Sequence, residues 1–308
     1  MFDQYLQITN EIIPSSKVKE ERKLVLLSDL HINNQKMIKK LKYIKDIIQN
    51  INPNYLCILG DIVDNPEILV NDNMIQFIYQ FIKDLTLHTP TFLVKGNHDF
   101  ITYNDKRYQP IYHEPFWQML NQLDTVHVLN HNNIVDNDIL FTGYFQDFSY
   151  YYNNNKHHEN SEQMLRSLTQ YKDIIRKHDN TFNIFLTHSP IAFNNQKIID
   201  LLESYDLILC GHMHDGCIPF GLGNGTRGLI SPDKKLFPKK ARGSSILTTS
   251  TSKEIELIIC GGIVKIQNSA HKFLQPLNHL CPMQINTLTL TNNKEPKKEK
   301  FLLNKKLH

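Results

Sequence analysis

Five short polar segments, each at or within one residue of the end of an apolar run, contain the residue types that bind metal ions. An apolar run that breaks into Asp, His or Gly-His is typical of a buried strand that delivers polar side chains at its carboxyl end. The segments are Asp29-Leu30-His31, Gly60-Asp61-Ile62-Val63-Asp64, Gly96-Asn97-His98-Asp99, Thr187-His188-Ser189 and Gly211-His212-Met213-His214. Five such junctions with complementary ligand types predict a hydrolase with a two-metal centre.

The types and spacing of these residues suit a pair of cations. Asp29 and His31 stand on alternate residues, so both side chains point the same way at a strand end. Asp61 follows a glycine, which lets the backbone approach the metals closely, and its two carboxylate oxygens can bridge two ions. His212 and His214 again lie one residue apart and can serve one metal each.

The elements that must position these segments alternate between strand and helix. Apolar residues at helical spacing predict a helix between His31 and Pro53 and a second helix over residues 69–87. This order predicts parallel strands with helices on the outer faces of a sheet. Apolar runs at residues 126–129, 134–135 and 139–143, the first two joined by the Asn-rich turn at 130–133, predict antiparallel hairpins. Late strands are expected at residues 256–260, 263–267 and 284–290.

Two segments are predicted as surface loops. Residues 149–160, with Tyr150, Tyr151 and Tyr152 among asparagines, are expected to form a polar insertion, with a lining of the substrate mouth as the alternative. Residues 217–244 are rich in Gly, Pro and Lys and are expected to form a long irregular loop beside the metal-bearing strands. No internal repeat is evident, and a single domain is expected.

The composition indicates a globular chain without an obvious nucleic-acid or membrane signal. Of its 308 residues 41% are hydrophobic and 21% are charged, and the net charge of +3 is too small to indicate a nucleic-acid partner. The lysine pairs in loops and tails are expected to be solvated surface. The five cysteines lack C-x-x-C spacing, which favours reduced thiols. Without a recognisable signal or spanning segment, a cytoplasmic location is expected, and peripheral membrane association is left open.

The set D-x-H, G-D-x-x-D, G-N-H-D, T-H and G-H-x-H resembles the calcineurin-like metallophosphoesterase family over roughly residues 23–242. Within it, the chain is most similar to a bacterial branch typified by the YkuE and YaeI phosphoesterases. The resemblance implies a four-layer α/β/β/α sandwich of two mixed sheets flanked by helices. We expect an N-terminal extension (1–22), a phosphoesterase domain (23–290) and a Lys/Asn-rich C-terminal tail (291–308).

The same resemblance assigns roles to the polar residues. It implies a first metal ion held by Asp29, His31, Asp61 and His214 and a second held by Asp61, Asn97, His188 and His212. His98 would act as electrophile and general acid, with Asp99 as a candidate to orient its ring. Asp64 would support the ligands from behind. Arg227 and Arg242, in the Gly-rich loop, are candidates for contacts with a substrate phosphate.

The expected reaction is hydrolysis of phosphate mono- or diesters by a hydroxide bound to two metal ions, with His98 protonating the leaving group. Manganese, iron and zinc all suit mixed nitrogen and oxygen ligands. The substrate, a small molecule or a lipid-linked phosphate ester, is left open, as are the choice between mono- and diesters and the oligomeric state. The alternatives are a non-catalytic scaffold with the same fold, against which the complete ligand set argues, and a nuclease, which the near-neutral charge disfavours.

Overall fold

Two large mixed sheets carry the five polar segments. The computed structural model describes residues 5–104, 107–153, 156–157, 160–173, 180–219, 222, 225–266, 277–293 and 303–306. The strands in this part of the chain are β1 (Tyr5–Pro14), β2 (Arg22–Leu27), β3 (Tyr55–Leu59), β4 (Thr91–Val94), β5 (Ile101–Asn104), β6 (Arg107–Pro110), β7 (Val126–Val128), β8 (Asn132–Asp136), β9 (Ile139–Gly143), β10 (Tyr152–Asn153), β11 (Lys156–His157), β12 (Phe182–Leu186), β13 (Leu207–Cys210), β14 (Gly243–Thr248), β15 (Glu254–Ile259), β16 (Met283–Thr291) and β17 (Leu303–Lys306). The helices are α1 (Ile38–Ile51), α2 (Asp72–Thr86), α3 (Glu114–Asn121), α4 (Phe148–Tyr151), α5 (Ser161–Gln170), α6 (Gln196–Leu201) and α7 (Leu277–Leu280).

The seven-stranded sheet has the order β17-β1-β16-β2-β3-β4-β7. Strands β2, β3, β4 and β7 run parallel to one another, with Leu24 opposite Tyr55 and Leu56 opposite Thr91. Strand β16 is antiparallel to β2 and parallel to β1, and β17 is antiparallel to β1. The carboxyl ends of β2, β3 and β4 therefore lie along one edge of this sheet.

The six-stranded sheet has the order β14-β15-β13-β12-β9-β8. Strands β9, β12, β13 and β15 are parallel, and the outer strands β8 and β14 pair antiparallel to β9 and β15. Pairing of β8 with β9 confirms one of the predicted hairpins. The pairing expected across Asn130–Asn133 is wrong, because Val126–Val128 forms β7, which lies in the seven-stranded sheet parallel to β4. Two further two-stranded pairs, β5 with β6 and β10 with β11, lie outside both large sheets.

Alternate side chains of the strands divide the hydrophobic core into layers. On β2, Leu24 and Leu26 pack into the core between the two sheets, with Phe141 and Ile184 of the second sheet. Val25 and Leu27 point to the other face, where they pack with residues of α1, α2 and α3. A third core cluster packs α5 and α6 against the outer face of the second sheet. This arrangement confirms the four-layer sandwich of two mixed sheets flanked by helices.

The first two helices begin and end at local sequence signals. Helix α1 buries Leu41, Ile44, Ile47 and Ile48 and ends at Asn52, whose φ of +50° stops the helix directly before a proline. Helix α2 begins later than the predicted residue 69, because Pro66–Val70 forms a separate 3₁₀ turn and Asn71 caps the helix by accepting the Met74 N–H.

Two other predictions differ from the structure. Residues 263–266 form no strand, and residue 267 lies outside the described residues. In the segment 149–160, Tyr150 and Tyr151 belong to helix α4 and are 1% exposed. Their hydroxyl groups donate to Ser189 Oγ and Gln146 Oε1, which explains how these side chains are buried. The segment is therefore not simply a solvated loop.

The structure also shows the state of the cysteines and the lengths of the helices. Cys57, Cys210, Cys217, Cys260 and Cys281 are all buried free thiols. Across the described ranges, every helix is too short or too polar to cross a bilayer.

Candidate metal centre

The seven predicted metal ligands follow the carboxyl ends of five strands from both sheets. Strands β2, β3 and β4 deliver Asp29, His31, Asp61 and Asn97 from the seven-stranded sheet, and β12 and β13 deliver His188, His212 and His214 from the six-stranded sheet. All seven side chains are at most 5% exposed. The two sheets thus contribute to a single buried cluster of polar groups.

Two groups of ligand atoms within this cluster are compact enough to hold a metal ion each. One contains atoms of Asp29, His31, Asp61 and His214, and the other contains atoms of Asp61, His188 and His212; within each group these atoms lie within 4.8 Å of one another. Asp61 belongs to both groups. A third group, formed by His31, Asp64 and His98, adjoins the first through His31.

The carboxylate of Asp61 lies between the two groups. Its Oδ2 atom is 3.6 Å from His31 Nε2 and 3.1 Å from His188 Nε2. Its Oδ1 atom accepts the backbone N–H of His98 at 2.8 Å, which fixes the plane of the carboxylate. One oxygen is therefore turned toward histidines of both groups, as bridging would require.

Carbonyl and carboxylate oxygens fix the rings of the ligand histidines. His188 Nδ1 donates to the Leu59 carbonyl at 2.6 Å, and His214 Nδ1 donates to the Val264 carbonyl at 2.6 Å. His31 Nδ1 is 3.3 Å from Asp64 Oδ1. Support of Nδ1 by such oxygens is usual for histidines that bind a metal ion through Nε2. Asp64 thus contacts a ligand from behind, in the manner expected for it.

His212 differs from the other three histidines because its Nδ1 atom faces the cluster. This atom is 3.2 Å from His188 Nε2, and the His212 backbone N–H donates to Asp29 Oδ2 at 3.2 Å. The same Asp29 oxygen accepts the hydroxyl of Ser28 at 2.6 Å. The other oxygen of this carboxylate, Asp29 Oδ1, faces His214 and lies 3.8 Å from its Nε2.

His98 and Asp99 are placed differently from each other. The His98 Nδ1 atom donates to the backbone carbonyl of Asp64 at 2.8 Å, and its ring packs edge-on against His31 at 4.7 Å between centroids. The Asp99 carboxylate instead accepts four backbone N–H groups, from Asp61, Ile62, Val63 and Gly96. The structure therefore assigns the orienting contact of His98 to the Asp64 carbonyl, whereas the sequence had suggested Asp99. Asp99 holds the backbone after β3 and β4.

The backbone at five of the predicted ligands has a left-handed conformation that residues other than glycine rarely adopt. Asp29, His31, Asp61, His212 and His214 have φ values of +52°, +43°, +53°, +69° and +48°. A left-handed conformation costs a residue with a side chain on the order of 1–2 kcal/mol. Such strain concentrates where the surrounding fold imposes a functional geometry, and here it coincides with five of the seven predicted ligands.

Two glycines let the backbone segments approach closely. Gly60 has a φ of +87°, and a Cβ there would lie 2.6 Å from Gly96 N and from His188 Nδ1. A Cβ on Gly96 would lie 2.2 Å from Asp61 Oδ1. Since real Cβ contacts are longer, neither position has room for a side chain. Steric exclusion therefore explains why glycine precedes Asp61 and Asn97.

Charges in the cluster are strongly coupled. Burial disfavours the ionised Asp61, but the neighbouring His188 and His98 hold the pKa of Asp61 well below its usual range. Burial also opposes protonation of His188, yet the Asp61 carboxylate raises the pKa of that ring to about 9. For His98 and His214, burial dominates and lowers the pKa to about 4 in each. Asp61 is thus a carboxylate that attracts cations.

The buried polar atoms fit a pair of metal ions. Among the described residues, Asp29 Oδ1, His31 Nε2 and Asp61 Oδ2 are buried atoms without a hydrogen bond. Burying such atoms without partners is costly, so their convergence indicates a ligand for them. The donors are imidazole nitrogens and carboxylate oxygens, a mixed set that suits first-row transition metals such as Mn²⁺, Fe or Zn²⁺. A metal ion in each group would be held by residues from both sheets.

The sequence analysis missed the segment that follows β15. Ile263 N–H donates to the Ser28 carbonyl and Val264 N–H donates to the Asp29 carbonyl, so this segment runs beside the first ligand. Lys265 is 2% exposed, and its ammonium group donates to the carbonyls of Gly261 and Gly262. The available signal was another apolar run that breaks into glycine, at Gly261-Gly262.

The two arginines suggested as substrate contacts have different surroundings. Arg242 Nη1 is 3.1 Å from Asp215 Oδ2, and its Nε donates to the Gly225 carbonyl. Since Asp215 follows His214 and is fully buried, this pair supports the turn that carries His214. Arg227 is exposed. The guanidinium of Arg242 is thus already engaged by a structural partner.

Comparison with known proteins agrees with these ligand motifs. The sequence model described as calcineurin-like phosphoesterase matches residues 22–216. Two proteins of Helicobacter pylori, from strains J99 and 26695 and each described as an uncharacterized metallophosphoesterase, are 27% and 26% identical over 211 residues. The match covers 67% of this chain but only 48% of each relative, so the chain spans about half the length of the curated relatives it matches.

Two solved structures are similar at low sequence identity. A dimetal phosphatase from Danio rerio is 11% identical with a TM-score of 0.43, and the match covers 78% of this chain and 87% of that one. GAP50, the anchor in the inner membrane complex of Plasmodium, is 15% identical with a TM-score of 0.47, and the match covers 93% of this chain and 89% of that one.

Proposed function

The chain belongs to the calcineurin-like phosphoesterase family, and we propose that it is a two-metal enzyme that hydrolyses phosphate mono- or diesters. The observation that carries the proposal is the position of Asp61, whose buried carboxylate belongs to both groups of ligand atoms. A shared carboxylate of this kind is what a pair of neighbouring metal ions requires. Phosphoryl transfer is the chemistry that paired ions serve best, because they offset charge on the attacking and leaving oxygens.

We assign the ligands as the sequence motifs suggested. Asp29, His31, Asp61 and His214 would hold the first ion, and Asp61, Asn97, His188 and His212 would hold the second. When bound, the two ions supply Lewis acidity toward the phosphoryl group and activation of water for attack on phosphorus. The burial of Asn97, which is 4% exposed, and its position directly before His98, whose backbone N–H donates to Asp61, support its assignment as a ligand.

His98 would contact the substrate rather than a metal ion. Because Nδ1 donates to the Asp64 carbonyl, the ring would meet the phosphoryl group or its leaving oxygen through Nε2. Burial keeps the pKa of His98 near 4, so the ring is neutral at pH 7 until an anionic phosphate ester lies beside it and favours the protonated form. A protonated His98 would donate to the departing alkoxide.

The remaining assignments follow from the same site. We propose a bacterial enzyme with manganese, iron or zinc that acts on a small or lipid-linked ester, in the cytoplasm or at the surface of a membrane. The metal-bearing domain would comprise residues 23–290, with residues 1–22 as an extension and 291–308 as a tail. Strands β1 and β17 lie at one end of the seven-stranded sheet, beyond β16, as additions to the domain would. Arg227 remains the candidate substrate contact of the Gly-rich loop.

Metal content and hydrolysis, measured together, test the proposal. The purified chain should bind two equivalents of Mn²⁺, Fe or Zn²⁺ by elemental analysis and hydrolyse an aryl phosphodiester or monoester. A chelator should abolish hydrolysis, and added metal should restore it. Two bound metal ions without hydrolysis of any ester in a broad panel would favour a scaffold, and fewer than one equivalent under all loading conditions would refute the two-metal centre.

A further inference from the structure

Residues 228–238 form a hairpin next to the candidate metal centre, within the loop between β13 and β14. Gly228 N–H donates to the Pro238 carbonyl, Phe237 N–H donates to the Leu229 carbonyl, and Ser231 N–H donates to the Lys235 carbonyl. Ile230 and Leu236 form a β-bridge between its two arms. The segment that was expected to be irregular therefore has a defined backbone here, which we call the 228–238 hairpin.

Four large apolar side chains of this hairpin face solvent. Leu229 is 42% exposed, Ile230 37%, Leu236 69% and Phe237 61%. The backbone pairing places Ile230 opposite Leu236 and Leu229 opposite Phe237, so the apolar side chains form two cross-strand pairs at adjacent positions along the hairpin. Single exposed apolar residues are ordinary on a protein surface, whereas a contiguous exposed group indicates an interaction site.

Lysines flank the apolar residues in the sequence, and one of them, Lys235, pairs with Asp233 at 2.7 Å. Residues 228–240 contain Lys234, Lys235, Lys239 and Lys240 against one acidic residue, Asp233, which gives this segment a net charge of +3. The whole chain also has a formal net charge of +3, so the rest of the chain is neutral overall. Exposed apolar side chains beside clustered lysines are the chemistry that binds the surface of an anionic bilayer.

The hairpin is attached to the turn that carries a predicted metal ligand. Leu229 N–H and Ile230 N–H both donate to the carbonyl of Gly216, which lies two residues after His214. A surface bound by the hairpin would therefore lie beside the metal centre.

We infer that the 228–238 hairpin docks the protein on bilayers that contain anionic phospholipid. Leu229, Ile230, Leu236 and Phe237 enter the interface between head groups and acyl chains, and the neighbouring lysines contact the phosphates. The docking stands on the hairpin alone. Docking would also bring head-group phosphate esters close to the metal centre. Their hydrolysis there rests, in addition, on the proposed function.

Co-sedimentation of the full chain with vesicles tests the inference. Vesicles of phosphatidylcholine with about one-third phosphatidylglycerol should bind the chain, vesicles of phosphatidylcholine alone should bind it much less, and salt should weaken the binding. Each large apolar side chain withdrawn from the interface is worth about tenfold in affinity, so the double variant Leu236→Ser/Phe237→Ser should bind at least about tenfold more weakly. The matched control Val70→Ser/Val135→Ser removes two side chains that are 71% and 50% exposed elsewhere and should bind like the parent.

A charge variant separates the two contributions. Lys234→Gln/Lys239→Gln should reduce binding to anionic vesicles, whereas Lys36→Gln/Lys39→Gln, two exposed lysines of another region, should not. Equal binding to both vesicle types, no binding to either, or full binding by the hairpin variants would overturn the inference. So would a concentration-dependent dimer in the absence of vesicles that the apolar variant abolishes, since the hairpin would then contact a second copy.

Metal content and hydrolysis of a soluble ester, measured on the apolar variant, distinguish membrane docking from the proposed function. Leu236→Ser/Phe237→Ser should retain the parent's metal content and its hydrolysis of a water-soluble aryl diester. Failure of the parent to hydrolyse any ester would refute the proposed function and leave the vesicle result standing. Loss of vesicle binding together with loss of metal in this variant would indicate a disrupted site and overturn the assignment of the hairpin as a separate docking element.

Discussion

Replacing Asp99 by asparagine tests how the backbone of the metal centre is held. Asp99 Oδ1 accepts the N–H groups of Ile62 and Val63 at 2.8 and 3.1 Å, and Oδ2 accepts those of Asp61 and Gly96 at 2.9 and 2.8 Å. Asp99→Asn keeps the size of the side chain but replaces one oxygen by an NH₂ group, which accepts no hydrogen bond. Whichever way the amide turns, two buried N–H groups lose their acceptor.

The expected magnitude follows from those two groups. A buried N–H without an acceptor costs about 1–3 kcal/mol, so Asp99→Asn should lower the free energy of unfolding by about 2–6 kcal/mol. This is a large share of the roughly 5–15 kcal/mol that stabilises a typical domain. Thermal unfolding of the metal-free protein should show a melting temperature lower by at least about 4 °C. The control Asp124→Asn changes an exposed carboxylate and should leave the melting temperature unchanged.

The role suggested by the sequence, orientation of the His98 ring, predicts a different result. Turnover would then fall while stability and metal content stayed at the parent's level. A variant Asp99→Asn that melts within about 1 °C of the parent would refute the reasoning from the four backbone hydrogen bonds.

Four further predictions concern the same molecule. Asp61→Asn should leave the chain folded but lower bound metal from two equivalents to less than one, because a neutral amide bridges two cations poorly; elemental analysis measures this, and retention of two equivalents with full activity would contradict it. His98→Ala should keep both metal ions and lose about 10²–10⁴-fold in turnover on alkyl esters, with a smaller loss on aryl esters; equal losses would indicate charge stabilisation rather than proton donation. Gly96→Ala, whose new Cβ would lie 2.2 Å from Asp61 Oδ1, should weaken metal binding by isothermal titration, and unchanged affinity would argue against the close approach. Burial and, secondarily, the nearby Lys265 lower the pKa of Lys40 to about 8, so Lys40→Met should raise the melting temperature at pH 7. The ammonium group of Lys40 loses its proton at about pH 8 in the folded parent and at about pH 10.4 in the unfolded chain. The gain in melting temperature should therefore shrink between these two pH values. A gain that does not depend on pH would indicate an effect of packing instead.

The ligands could be predicted because their signal is local in the sequence. A strand in this fold is a run such as Leu56–Leu59, and the polar residue that follows it lies at the sheet edge wherever the strand is placed in the sheet. The same reasoning gave the order of strands and helices from β2 to β4, but it did not give β1, Tyr5–Pro14, which lies within the expected N-terminal extension. It did not give the start of α2, because the turn formed by Pro66–Val70 competes with the helical pattern there.

The supports of the ligands could not be predicted in this way. Leu59 and Val264 hold His188 and His214 through backbone carbonyls, which every residue type possesses. Asp99 likewise binds backbone groups, so its residue type suggested chemistry where the structure shows scaffolding. Tyr150 lies in a polar stretch, and its burial depends on contacts with distant parts of the chain such as Ser189.

Each sheet is completed by strands that come late in the sequence, so the chain cannot be shortened to the segment that contains the ligand motifs. The segment matched by the family model ends at residue 216, yet β2 pairs with β16 and β13 pairs with β15, both of which come later. A fragment that ended there would leave a bare strand edge in each sheet and would remove the Val264 carbonyl from His214. The segment that contains the ligand motifs is therefore not an autonomous folding unit, and excising it would yield two open, aggregation-prone edges rather than a minimal enzyme.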